Sequence, residues 1–137
     1  MTDPYRDVVA PFYLQALTVN TAAHCADVLT RVLADDFKSH NNQEVKDKAT
    51  LVKQVGYFWQ LIPDLKWDPK EVITSGSTVV VRSLATGTPK GMFMGVQTDG
   101  SKSFTIDTID IHTVSGGRIV KVYHLEDWAT AMRQLMA

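Results

Sequence analysis

Apolar residues in the first half of the chain recur at three- and four-residue intervals, whereas from Leu65 onward they alternate with polar ones. The pattern predicts helices first and strands afterwards. Val8, Val9, Phe12, Tyr13, Ala16 and Leu17 form one helical stripe, introduced by Asp3-Pro4 as a cap and first turn. Pro11 falls inside that stripe and either kinks the helix or marks its start, because proline lacks the interior N–H donor. Thr21 is the expected cap of a second helix carrying Cys25, Val28, Leu29, Val32 and Leu33, followed by a short extended segment through Phe37 to His40. A third helix presents Leu51, Val52, Val55, Phe58, Trp59 and Ile62 and stops at Pro63.

Five strands are then expected, over residues 66–74, 77–86, 91–96, 103–114 and 118–127, with a closing helix over 128–135. Gly76, Asp99-Gly100 and Gly116-Gly117 mark the turns between them. Connections of hairpin length imply an antiparallel sheet, and the order of elements implies an α+β domain.

The 137 residues, 45% of them apolar, suffice for one core, so residues 1–137 are expected to form a single domain. A net charge of −1 without any dense Lys/Arg cluster argues against nucleic acid or an anionic membrane as partner. Cys25 is the only cysteine, which excludes an internal disulfide and fits a reducing compartment. With no signal-peptide pattern and no apolar run of ~20 residues, the expected location is cytoplasmic and not a membrane.

Four stretches carry a family resemblance: Asp35-Asp36-Phe37-Lys38-Ser39-His40-Asn41; Ile62-Pro63-Asp64-Leu65; Gly91-Met92-Phe93-Met94-Gly95-Val96 with Asp99-Gly100; and Asp110 through Ile119 continuing to His124-Leu125-Glu126-Asp127-Trp128. In order and spacing the chain resembles the SnoaL-like polyketide cyclases (ester cyclases) of the nuclear transport factor 2-like group. The resemblance implies a cone of helices packed on a strongly curved antiparallel, cystatin-like sheet. It also implies an interior pocket for a small hydrophobic or aromatic ligand, usually in a homodimer, and acid/base catalysis without cofactor or metal. Aldol-type ring closure, or an isomerisation, on a polyketide-like carbonyl compound is the chemistry implied. A non-catalytic dimeric ligand-binding module is the alternative, because one fold hosts many functions.

The family's principal catalytic aspartate corresponds to His124, a departure that still leaves a group able to exchange protons near neutral pH. Its second polar position corresponds to Asp110, which shares a strand face with Ile106, Thr108, His112 and Val114. Asp110 either orients His124 or acts itself as base. Asp127 precedes the closing helix, so it serves as that helix's cap or, alternatively, as a third pocket acid. His40 and Asn41 match a polar pair that the family places at the mouth or wall of the pocket, with a surface loop as the other reading. Arg82 lies within an apolar strand, where it is expected to pair with a carboxylate or reach solvent, with a ligand contact as the other reading. Trp59, Trp67, Phe93, Met92 and Met94 supply an apolar lining or plain core. Asp110, His112 and His124 also imitate a two-histidine, one-carboxylate metal set, although the family needs no metal.

Overall fold

The computed structural model describes residues 3–19 and 24–137. The Thr21 cap lies outside the described residues; helix α1 (Cys25–Val32) starts from His24, whose backbone is extended. The N-terminal stripe forms two π-helical segments, Tyr5–Val9 and Phe12–Ala16. Asp3 Oδ1 accepts from the N–H groups of Tyr5 and Arg6, as the cap signal implies. Pro11 neither breaks nor begins the helix. It keeps helical φ −59° and ψ −30° between the two wide turns, where the Ala10 and Leu17 N–H groups reach back five residues, to Tyr5 and Phe12.

Nine residues, Leu33–Asn41, form β1, which turns through Asn42-Gln43 into β2 (Glu44–Asp47). Asp47 then caps α2 (Lys48–Leu61), accepting from Thr50 N–H at 2.9 Å. Ile62 leaves helical geometry immediately before Pro63. The remaining elements are β3 (Lys66–Ser75), β4 (Thr78–Gly87), β5 (Lys90–Phe93), β6 (Val96–Asp99), β7 (Phe104–Ser115), β8 (Arg118–Glu126) and α3 (Trp128–Met136).

Six strands form one curved sheet in the order β2-β1-β8-β7-β4-β3. All neighbours are antiparallel except β1 and β8, which run parallel. The sheet is therefore mixed. Hairpin reasoning fixes the direction of strands adjacent in sequence, but β1 and β8 are separated by most of the chain. The strand expected over 91–96 is in fact a hairpin. Met94 at φ 50° and Gly95 at φ 83° form its two-residue turn, and β5 and β6 make a separate two-stranded sheet.

Helices α1 and α2, the N-terminal segments and α3 cover the concave face. Val9, Tyr13, Leu29, Phe37, Ile62, Leu65, Phe93, Phe104 and Ile119 are buried there. Phe93 stacks on Phe104 with centroids 5.9 Å apart, and Trp128 meets both rings edge-on. The β5–β6 hairpin is thus anchored over the sheet by an aromatic cluster.

Candidate functional site

Between α2, the hairpin and the concave face lies a cavity of about 390 Å³ with mainly apolar walls. Phe12, Leu17, Leu51, Val55, Phe58, Trp67, Phe93, Val122 and Trp128 supply those walls. The polar side chains reaching it are Ser39, Asn41, Lys46, Gln54, Tyr57, Asp110, His124 and Glu126.

Asp110 and His124 are direct partners across the antiparallel β7–β8 ladder, so their side chains emerge next to each other on one face. Each takes a different hydrogen-bond partner. Asp110 Oδ2 accepts from the Tyr13 hydroxyl at 2.6 Å, and His124 Nδ1 lies 2.8 Å from Glu126 Oε2. Glu126, and not Asp110, is therefore the carboxylate that orients His124. Nδ1 is committed to that carboxylate, leaving Nε2 as the ring nitrogen available to a ligand. Asn41 fixes the same strand by donating from Nδ2 to the His124 carbonyl at 2.7 Å.

Behind Asp110 sits a buried chain. The Tyr13 hydroxyl is 2.6 Å from both Asp110 Oδ2 and His112 Nε2, yet it has one hydrogen to give. Burial pushes His112 down to about 3, with nearby His124 adding to the effect, so its ring is neutral and carries one N–H. If Tyr13 donates to Asp110, His112 must donate from Nε2 to the Tyr13 oxygen. This assignment leaves His112 Nδ1 as a bare acceptor, and that atom has no partner among the described residues.

Asp110 is only 4% exposed, and burial pushes its carboxyl up to about 7. The Tyr13 hydrogen bond and His124 oppose that rise, while Glu126 assists it. A carboxylic acid that is neutral up to about pH 7 can donate its own proton into the cavity. Burial and the neighbouring Asp110 raise Tyr13 well above the ordinary phenol value, so it remains a donor.

Other residues singled out in the sequence lie elsewhere. His112 is fully buried and does not line the cavity, which corrects its reading as a ligand contact; alternation turns it inward, but Tyr13 and Phe12 cover it. His40 is on the opposite, convex face, its ring 4.7 Å from that of Tyr123, because strand alternation sends it away from its neighbour Asn41. Arg82 bonds Glu71 at 2.6 Å and Asp107 at 3.3 Å near the protein surface. Trp59 is absent from the cavity wall and donates its indole N–H to the Ala16 carbonyl at 2.7 Å. Asp127 caps α3, accepting from the Thr130 N–H and hydroxyl at 3.1 and 2.7 Å. No group of three His, Cys, Asp or Glu side chains among the described residues could hold a metal ion, so the Asp110–His112–His124 set is not assembled as one. Sequence reasoning passed over Tyr13, Glu126, Lys46 and Ser39. Glu126 was within its reach, since it lies two residues past His124 and so shares its strand face.

A helical layer on a curved sheet around such a cavity is the architecture of the nuclear transport factor 2-like group. The SnoaL-like polyketide cyclase model matches residues 8–135, and the chain belongs to that family. No curated protein matches the sequence. Among solved structures, a SnoaL-like protein of Jannaschia sp. CCS1 is 18% identical with a TM-score of 0.85, covering 98% of this chain and 92% of that one. Wild-type IdmH of Streptomyces antibioticus is 22% identical with a TM-score of 0.83, covering 99% and 100%. TsrD of Streptomyces laurentii is 16% identical with a TM-score of 0.80, covering 98% of both chains. At these identities the likeness establishes the fold.

Proposed function

We propose that the chain catalyses cofactor-independent proton transfer on a hydrophobic carbonyl compound of polyketide type, as an aldol-type ring closure or an isomerisation. The observation that carries this reading is the pairing of Asp110 and His124 side by side on one apolar cavity, each held by its own partner. In the ring closure, His124 Nε2 takes a proton from the carbon next to a carbonyl. The resulting enolate carbon attacks a second carbonyl of the same molecule, forming the new C–C bond as that C=O π bond opens. Asp110 gives its proton to the developing alkoxide, and His124 returns the abstracted proton to Asp110 before the next turnover. Apolar walls strengthen these charge-dependent contacts by excluding water.

The test is turnover of a panel of aromatic β-keto esters by the native protein, His124→Ala and Asp110→Asn. Loss of roughly 100-fold or more in kcat in both variants, with ligand binding retained, is the expected result. Full turnover by His124→Ala overturns the mechanism; binding without turnover by the native protein makes the chain a ligand-binding module.

We also read the convex face as the contact with a second copy of this chain. Ile109, Ile111, Tyr123 and Leu125 are exposed together there, lining a shallow groove with His40.

A further inference from the structure

We propose that Ser39 and Lys46 form a subsite for an anionic oxygen group, so that the ligand carries a carboxylate or similar acidic function at the end away from Asp110. The inference rests on the reading of the cavity as a ligand site, but not on the acid/base mechanism. Two independent observations support it.

The first is an unused donor. Ser39 is 2% exposed and lines the cavity, yet its hydroxyl has no hydrogen-bond partner among the described residues. A buried hydroxyl without a partner is costly, and a ligand oxygen would relieve that cost.

The second is the position of a cation. Ser39 and Lys46 are direct partners across the β1–β2 ladder, which places their side chains together on the cavity face. Glu44, Val45 and Asp47 on the same short strand are exposed, whereas the Lys46 side chain is 24% exposed and reaches the cavity. Its carboxylate neighbour is Glu44, 3.8 Å away and 75% exposed, a pair too long and too solvated to hold the ammonium firmly. A lysine at the edge of an apolar chamber, paired across the ladder with a serine whose hydroxyl is unsatisfied, suits an acidic oxygen group.

The ladder also sets the ligand's length. Lys46, Ser39, Val122 and His112 lie in one row across β2, β1, β8 and β7, and Asp110 is two residues along β7. At about 4.8 Å per strand, the Lys46 and Asp110 backbones are about 15 Å apart along the sheet, which after the reach of both side chains leaves a gap of about two fused rings.

Two naphthalene probes that differ chiefly in charge test the subsite: anilinonaphthalene sulfonate and the neutral phenylnaphthylamine, titrated by fluorescence into the native protein, Lys46→Met and Ser39→Ala. The native protein is expected to favour the sulfonate. Lys46→Met should weaken sulfonate binding roughly tenfold and Ser39→Ala about threefold, each leaving the neutral probe within about twofold as a check on folding. A sulfonate preference that is absent, or that survives both substitutions, overturns the subsite and leaves the cavity reading standing. Binding of neither probe removes the cavity reading and the subsite with it.

Discussion

Over residues 108–112 of β7 and 123–125 of β8, the two faces of the sheet reverse the usual distribution of polar and apolar residues. On the concave side, Thr108, Asp110 and His112 are almost completely buried, while on the convex side Ile109, Ile111, Tyr123 and Leu125 are open to solvent. Neither face suits a strand placed simply between core and water. Each makes sense once a function is assigned to it. Polar groups inside are tolerated because Trp67 donates to Thr108, and Tyr13 bridges Asp110 and His112. Apolar groups outside call for a covering partner. Alternation decides which face a residue takes, but only the partners brought by other elements decide what it does there.

The largest effect that would break this comparison is in the pH dependence of stability. Asp110 titrates at about 7 in the folded chain against an ordinary 3.8, so the native state keeps a proton that the unfolded chain releases; the stabilisation is complete below about pH 4 and lost as pH rises through 7. His112 titrates at about 3 against 6.5, so its stabilisation is present above about pH 6.5 and lost as pH falls toward 3. The two slopes oppose each other over nearly the same window and largely cancel. Asp110→Asn removes the first and exposes the second. From pH 6.5 to 4.5, the variant should lose about 2 to 3 kcal/mol relative to the native protein in urea unfolding. Parallel stability curves for the two proteins would show that the concave pair does not titrate as described.

Next in size is Tyr13→Phe, which deletes one buried oxygen and strands two buried groups. A loss of about 2 kcal/mol is expected, read as a lower denaturation midpoint at unchanged m-value. The control is Ile111→Thr on the convex face, which removes more apolar surface and should cost less than about 0.5 kcal/mol in the isolated subunit. Equal losses would dissolve the distinction between the faces.

The convex face is sharpened by Ile111→Lys and Leu125→Lys. Each should weaken self-association roughly tenfold by sedimentation, by placing an ammonium in an apolar contact. A native protein that stays monomeric at high concentration would leave that face without its second copy.

The periodic half of the fold was legible: helical stripes ended at Pro63, and β7 alternated as its sequence alternates. What escaped was set by backbone geometry or by distance along the chain. Gln43 and Met94 adopt positive φ without being glycine or asparagine, so the Asn42-Gln43 turn between β1 and β2 and the Met94-Gly95 turn between β5 and β6 each bear only half of the usual residue signature. Asp110 and His124 could be placed on neighbouring strands from their motifs, but the hydroxyl joining Asp110 to His112 comes from a residue 97 positions away. Tyr13 reads in sequence as one more apolar position on a helix. Glu126 was hidden differently: the adjacent Asp127 offered an obvious carboxylate, and its cap signal drew the reading away from the strand face.

That adjacent pair supplies the smallest prediction, and the one that separates the helix cap from the His124 partner most cleanly. Asp127 is exposed and spends both carboxylate oxygens on Thr130, whose hydroxyl and N–H hold it below the usual carboxylate range. Asp127→Ala should lower the melting temperature by a few degrees through loss of the α3 cap, and Asp127→Asn, which can still accept from the Thr130 N–H, should restore most of it. Neither should change turnover by more than about twofold. Glu126→Gln differs by one position and should act in reverse. It leaves α3 intact but replaces the carboxylate that orients His124, so kcat should fall roughly tenfold or more while the melting temperature changes little. If Asp127→Asn impaired turnover while Glu126→Gln did not, the two carboxylates would have to exchange roles, and with them the assignment of which face of β8 looks into the cavity.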